Sequence, residues 1–279
     1  MDKIINLRDI ESARQLYPEP PEIKETRELI TECFKDLQFI EDSHQYFVDG
    51  VEYPPVSSVC HRFEPEVDWD SIASKKAKKL GIPVEELKED WHVKNITSTS
   101  CGSKTHFFGE NLMNMMIGRE EETKKNLPFQ YTKDGYLIPY CPKEEAIMKY
   151  YLDILNNPMV FPVMPEAKIY MKDKYAGTFD ILMAYRYHGG IVYSVHDFKT
   201  NKDLKNDFNR SKGNRLLPPF DDIIDEPFGI YSIQLSLYQL GLQQLGLPII
   251  DRNIIWLKDN REYEKIGTPD LTERLLGIL

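Results

Sequence analysis

Paired cysteines are missing from this chain. Cys33, Cys60, Cys101 and Cys141 stand 27 to 41 residues apart and form no C-x-x-C pair, so their spacing encodes neither a zinc site nor a redox couple. They read as reduced structural thiols. No apolar run approaches the roughly 20 residues that span a bilayer. The opening stretch MDKIINLRDIESARQLYPEPPEIKE has no secretory apolar segment and is too acidic for a mitochondrial transit peptide. A soluble, cytoplasmic protein without membrane contact is therefore expected. The phosphate-cradling pattern G-x-x-x-x-G-K-[ST] is also absent, because CGSKT has the wrong order. Neither ATP as a cofactor nor a fused helicase or ATPase is expected. Positive charge is in deficit: 35 Lys and Arg against 45 Asp and Glu give a formal net charge of −10. That balance argues against nonspecific coating of nucleic acid and says little about a local groove.

What is present suffices for a globular fold. A chain of 279 residues with 41% hydrophobic content builds one large domain or two small ones. Two segments run against the acidic average. SIASKKAKKLG carries Lys75, Lys76, Lys78 and Lys79 with no acid, and NKDLKNDFNRSKGNR carries Lys202, Lys205, Arg210, Lys212 and Arg215 against two aspartates. A lysine-rich helix face is most often solvated surface. The second segment follows Lys199 directly, which gives it more weight, and it and the 75–79 lysines are the two candidates for contacts to a nucleic-acid backbone should the chain bind one.

Along the chain, helices broken by YPEPPE fill the first forty residues, and two short β-like runs flank Asp49-Gly50 as a hairpin. Ser57 or Ser58 is expected to cap the next helix. Residues 69 to 95 read as helical with a break at Gly81-Ile82-Pro83, and a new helix is expected to start at the Ser/Thr cluster near 98 and end at Gly118. KEEAIMKYYLDILNN is a further helix. MPEAKIYM, AGTFDILMAYRY and GIVYSVHDFKT then read as an antiparallel meander, followed by the basic loop, the helix GIYSIQLSLYQLGLQQLG and the strand DRNIIWLKD. The fold class is α/β, with a mixed central sheet flanked by helices. The division drawn is residues 1–97 as a mainly helical N-terminal region with a small hairpin and 98–279 as the core.

The chemistry concentrates around the meander. Asp180 and Asp197 come from neighbouring strands, and carboxylates so placed are hard oxygen donors of the kind Mg²⁺ or Mn²⁺ takes, with room for water and phosphate. Asp197 and Lys199 are two apart and share one side of a strand. A lysine beside a metal-bound carboxylate can orient an attacking water or neutralise charge on a phosphate. A lone D-x-K triplet is common and usually an exposed strand end. Here it stands with Gly177 three residues before Asp180, Glu166 one strand upstream, His106 on a preceding helix, and Gln234 and Tyr238 four apart on one helix face. Phe208, Phe107 and Phe108 are candidate base-stacking residues, the last two better read as buried packing.

The ordered set G-x-x-x-H, E, G-x-x-D, D-x-K-T and Q-x-x-x-Y resembles the RecB-like exonuclease branch of the PD-(D/E)xK nuclease superfamily over roughly residues 98 to 258. The stretches PEAKIYMKDKYAGTFD, VHDFKTNKDLK and HQYFVDGVEYPPVSSV are similar to the mitochondrial genome maintenance exonuclease group and its phage relatives. That resemblance implies a restriction-endonuclease-like core and a metal-dependent DNA exonuclease acting on single-stranded ends in replication, repair or recombination, in the host cytoplasm if phage-encoded. It assigns His106, Asp180, Asp197 and the Phe198 carbonyl as metal ligands and Lys199 as the catalytic lysine. Gln234 and Tyr238 would position the lysine and the scissile phosphate, and Glu166 matches a family acidic position. Glu110 matches an acidic position one turn after the histidine, where a salt bridge is its expected role. Members with an iron–sulfur cluster carry late cysteines, and none follows Cys141 here, so no such cluster is expected. A structure-specific or sequence-specific endonuclease and a non-catalytic nucleic-acid-binding protein on the same fold remain the alternatives.

Overall fold

A computed structural model describes residues 4–41, 43–122 and 129–279. Helices α1 (Leu7–Leu16) and α2 (Pro21–Cys33) open it. Pro21 occupies the first turn of α2, where a missing N–H costs nothing. Strands β1 (Leu37–Ile40), β2 (Gln45–Val48) and β3 (Val51–Tyr53) form a small antiparallel sheet. Asp49 and Gly50 both take positive φ, 51° and 77°, the pair that a tight hairpin turn demands. Helix α3 (Val56–His61) follows at once. Its N-cap is Pro55, with no side-chain cap, so the expected capping by Ser57 or Ser58 is not found: both lie inside the helix.

Helix α4 (Trp69–Leu80) ends at Gly81 in the left-handed region, and α5 (Val84–Met116) begins after Pro83. The break at 81–83 is thus where the sequence places it. The new helix start near 98 is not: α5 runs unbroken for 33 residues. The Thr97 and Thr105 hydroxyls donate to the carbonyls of Val93 and Cys101, four residues back, at 2.8 and 2.9 Å, and so cap no helix end. The line drawn at 97 falls inside this helix.

A short ribbon of β4 (Gln130–Tyr131) and β5 (Leu137–Ile138) leads to α6 (Pro142–Leu155). Then come β6 (Val160–Met171), β7 (Tyr175–Tyr187), β8 (Gly190–Lys199), α7 (Asp207–Lys212), α8 (Pro227–Gln243), β9 (Ile249–Leu257), β10 (Tyr263–Gly267) and α9 (Thr272–Leu276). The five-stranded sheet has the order β10-β9-β8-β7-β6. Strands β6, β7 and β8 form the predicted meander, β9 joins β8 in parallel and β10 returns antiparallel. A parallel neighbour needs a long crossover, and α8 lies within it. Among the described residues, no helix is long and apolar enough to cross a membrane.

Two cores sandwich the sheet. On one face, Ile23 and Ile30 of α2, Val56 and Val59 of α3, and Ile233 and Leu237 of α8 pack with Phe179, Val195 and Ile254. On the other, Ile10 of α1, Phe108 and Leu112 of α5, and Ile147 and Tyr151 of α6 pack with Ile181, Phe198 and Ile255. Phe179 and Ile181 are two apart yet enter opposite cores, so the alternation of faces along β7 breaks at Asp180. Across from it, between the pairs Pro165↔Ile181 and Ala167↔Phe179, Glu166 takes φ 45°. Such local irregularity re-aims side chains.

Gly109 sets how closely α5 approaches the sheet. A Cβ there would lie 2.6 Å from Cε2 of the Phe198 ring and 3.3 Å from Cδ1 of Ile147. Gly109→Ala gains roughly 1 kcal/mol of helix propensity and loses about 1–3 kcal/mol to overpacking. A net loss of about 1 kcal/mol and a lower melting temperature are expected, and an unchanged or raised melting temperature would refute this account of the contact.

Candidate metal centre

The two strand aspartates differ in environment. The Asp180 Oδ2 atom accepts the Phe198 backbone N–H at 2.6 Å and lies 3.2 Å from Nδ1 of His106. Burial alone would push the Asp180 carboxyl up; the charge and hydrogen bond of His106, helped by Lys199 and the Phe198 amide, more than offset it and hold the carboxyl below its usual range. His106 shows the reciprocal effect. Burial works to lower it, but the neighbouring Asp180, then Glu166 and Asp197, raise it to about 9.

One donor atom each from His106, Glu166 and Asp180 fit within 4.8 Å of one another. An imidazole and two carboxylates from three different elements, all partly buried, suit a divalent cation that keeps open positions. Asp197 is not in this group. Only 2% of Asp197 is exposed, and its carboxylate pairs with the Lys199 ammonium. Burial and then the Asp180 charge push the Asp197 carboxyl up to about 6 against the pull of Lys199. Lys199 itself is raised to about 12, since Asp197 outweighs the burial that would lower it. At neutral pH this lysine is a cation and not a base.

Helix α8 holds that cation. Lys199 Nζ donates to Oε1 of Gln234 at 3.1 Å, and Nε2 of Gln234 donates to the Tyr238 hydroxyl at 3.1 Å. The sequence places these two residues on one face, and the structure brings both to the lysine. It adds Tyr231, whose ring centre lies 4.2 Å from Nζ and whose hydroxyl donates to Asn201. Tyr231 was legible in the sequence: it precedes Gln234 by three residues on the same helix face. Gly177 is the close-approach position expected, but its neighbours are protein. A Cβ there would meet Val56 Cγ2 at 2.7 Å and Tyr238 Cε1 at 3.0 Å.

His106, Glu166, Asp180, Asp197, Lys199, Gln234 and Tyr238 line a cavity of about 820 Å³ together with Glu110, Gly102, Ser103 and Phe107 of α5, Phe39 and Tyr46 of the small sheet and His44 in the turn between them. Phe198 contributes its backbone amide, while its ring is buried in the second core.

The basic loop is more divided than its composition suggests. Arg210 donates through Nε to Glu226 at 2.7 Å, and Arg215 donates to the carbonyl of Asp222. Both remain exposed at the surface while making these internal bonds. Lys202, Lys205 and Lys212 are exposed. Phe208 is also exposed, Phe108 is buried and Phe107 is half-buried. On α4 the four lysines are exposed, with Lys76 over the Trp91 ring. No protein-family model matches the chain, and no curated protein matches it in sequence.

Proposed function

We propose that the protein is a metal-dependent deoxyribonuclease with a restriction-endonuclease-like core, hydrolysing phosphodiester bonds at single-stranded DNA ends in replication, repair or recombination. The observation that carries this reading is the convergence of His106, Glu166 and Asp180 within 4.8 Å in one cavity that also holds the Asp197–Lys199 pair. A divalent cation such as Mg²⁺ or Mn²⁺ supplies, when bound, Lewis acidity toward the scissile phosphate and a more acidic water. His106, Glu166 and Asp180 would hold it, with Asp197 beside them.

The chain's own groups do the rest. Lys199 presents a fixed positive charge to the negative charge that builds on the phosphate, which is the most effective single contribution a preorganised site makes. Asp197 and Tyr231 hold that charge in place, Gln234 accepts from it, and Tyr238 orients Gln234. Ser103, Thr178 and Lys168 line the same cavity as the donor group and offer it further polar contacts.

The test is incubation with Mg²⁺ or Mn²⁺ and three labelled substrates: a linear single strand, a linear duplex and a closed single-stranded circle. Loss of the linear strand with the circle intact is expected. Cutting of the circle would make the enzyme an endonuclease, and cleavage of none of the three would overturn the nuclease reading.

The exposed loop lysines make a separate prediction. Each phosphate neutralised on a single strand contributes about 0.7 to the slope of log affinity against log salt. Reversing Lys202, Lys205 and Lys212 to glutamate is expected to flatten that slope by about 2 and to weaken binding of every sequence alike. An unchanged slope in fluorescence-anisotropy titrations would remove the loop from the DNA path.

A further inference from the structure

The cavity above the candidate metal centre has two unlike walls. One is α5, with Ser103, His106 and Phe107; the other is the small N-terminal sheet and its β1–β2 turn, with Phe39, His44 and Tyr46. The aromatic side is ordered. Phe39 and Tyr46 stack with ring centres 4.6 Å apart and planes 28° from parallel, and His44 meets both edge-on, at 5.2 and 5.9 Å. Tyr46 is buried, and its hydroxyl lies 3.1 Å from Oγ1 of Thr178, two residues before Asp180 on β7. The ledge is therefore tied to the strand that carries the candidate metal ligand. Phe39 is half-buried, His44 is exposed, and both line the cavity. Lys168, opposite Thr178 in the β6–β7 register, adds a cation on the same side.

We propose that Phe39 and His44 form a base-stacking subsite for the nucleotide next to the scissile phosphate, and that this subsite selects unpaired DNA. The inference rests on the nuclease reading above and adds to it the residues that would decide strand preference. Every base offers a π-face to an aromatic side chain regardless of sequence, and an aromatic ledge beside a lysine is the pairing that takes a base and the phosphate attached to it. In a duplex both faces of each interior base are covered by its neighbours, so only a strand that is already unpaired presents the face this ledge needs.

The experiment compares wild type, Phe39→Ala and His44→Ala on linear single strands that are intact or carry one abasic residue, scanned through the positions flanking the cleaved bond. Wild type is expected to lose about tenfold in kcat/KM when the abasic residue reaches the subsite, in line with the stacking contribution of one base. Each variant is expected to lose a similar factor on the intact strand and almost nothing further on the abasic one. A purely structural defect would slow both strands equally and leave the abasic penalty in place, and that result overturns the proposal. So does wild-type behaviour of both variants. Phe39 packs against Tyr46, so its variant is checked by thermal unfolding; His44 is exposed, and its variant carries the test if Phe39→Ala fails to fold. A wild-type protein that cleaves single strands yet shows no abasic penalty at any position refutes the subsite and leaves the nuclease reading standing, whereas a wild type that cleaves no DNA refutes both.

Discussion

Lys199→Met is expected to lower metal-dependent cleavage of a linear single strand by about 100- to 1000-fold, the usual cost of removing one preorganised group that faces transition-state charge. Methionine retains an unbranched stem of similar length over the Tyr231 ring, so the change removes the ammonium and little packing. It also strips the buried Asp197 carboxylate of its partner. An unpaired buried charge costs several kcal/mol, but a carboxyl already raised to about 6 escapes most of that by taking up a proton. The variant should therefore fold with a lowered melting temperature. Single-turnover cleavage at saturating Mn²⁺ is the measurement. Wild-type rates would remove Lys199 from the chemistry, and because His106, Glu166 and Asp180 are untouched, Mn²⁺ should still stabilise this variant.

That stabilisation is the second large effect. A ligand held only by the folded state, at 100 times its dissociation constant, adds about 2.7 kcal/mol. In a domain of this size each kcal/mol moves the melting temperature by about 2 °C, so Mn²⁺ should raise that of the wild type by about 5 °C. Asp180→Asn is expected to abolish the rise and the cleavage together. Asparagine keeps the shape and one acceptor for the Phe198 amide, but it removes the charge at the centre of the donor group and the carboxylate that faces His106 Nδ1. A variant that kept the full thermal shift would show that the cation, if bound, sits elsewhere. Lys199→Met thus tests chemistry with binding intact, and Asp180→Asn tests binding.

Much of the local structure was written in the sequence. Asp49-Gly50 specified a hairpin turn because few other pairs accept two successive positive φ angles. Gly81 and Pro83 marked a helix end and a helix start, and the spacing of Asp197 and Lys199 put them on one strand face. Where residue type had two meanings, the sequence misled. The Ser/Thr cluster near 98 suits a helix cap and equally suits bonding back within a helix; the continuation of α5 across it chose the second. Arg210 reads as a free cation until Glu226, sixteen residues on, is folded against it.

By itself the sequence determined the α/β class, the meander, the hairpin and the order in which chemistry-bearing residues appear, because periodicity and turn geometry act between residues a few positions apart. Only the tertiary structure decided that Glu166 lies across from Asp180, that α5 comes close enough over Gly109 to bring His106 to the same carboxylate, and that Phe39 and His44 form a wall of the cavity they share with Lys199. Those meetings join residues as many as 160 positions apart. They depend on strand register and on which apolar faces bury against which, and neither quantity is carried by any short stretch of chain.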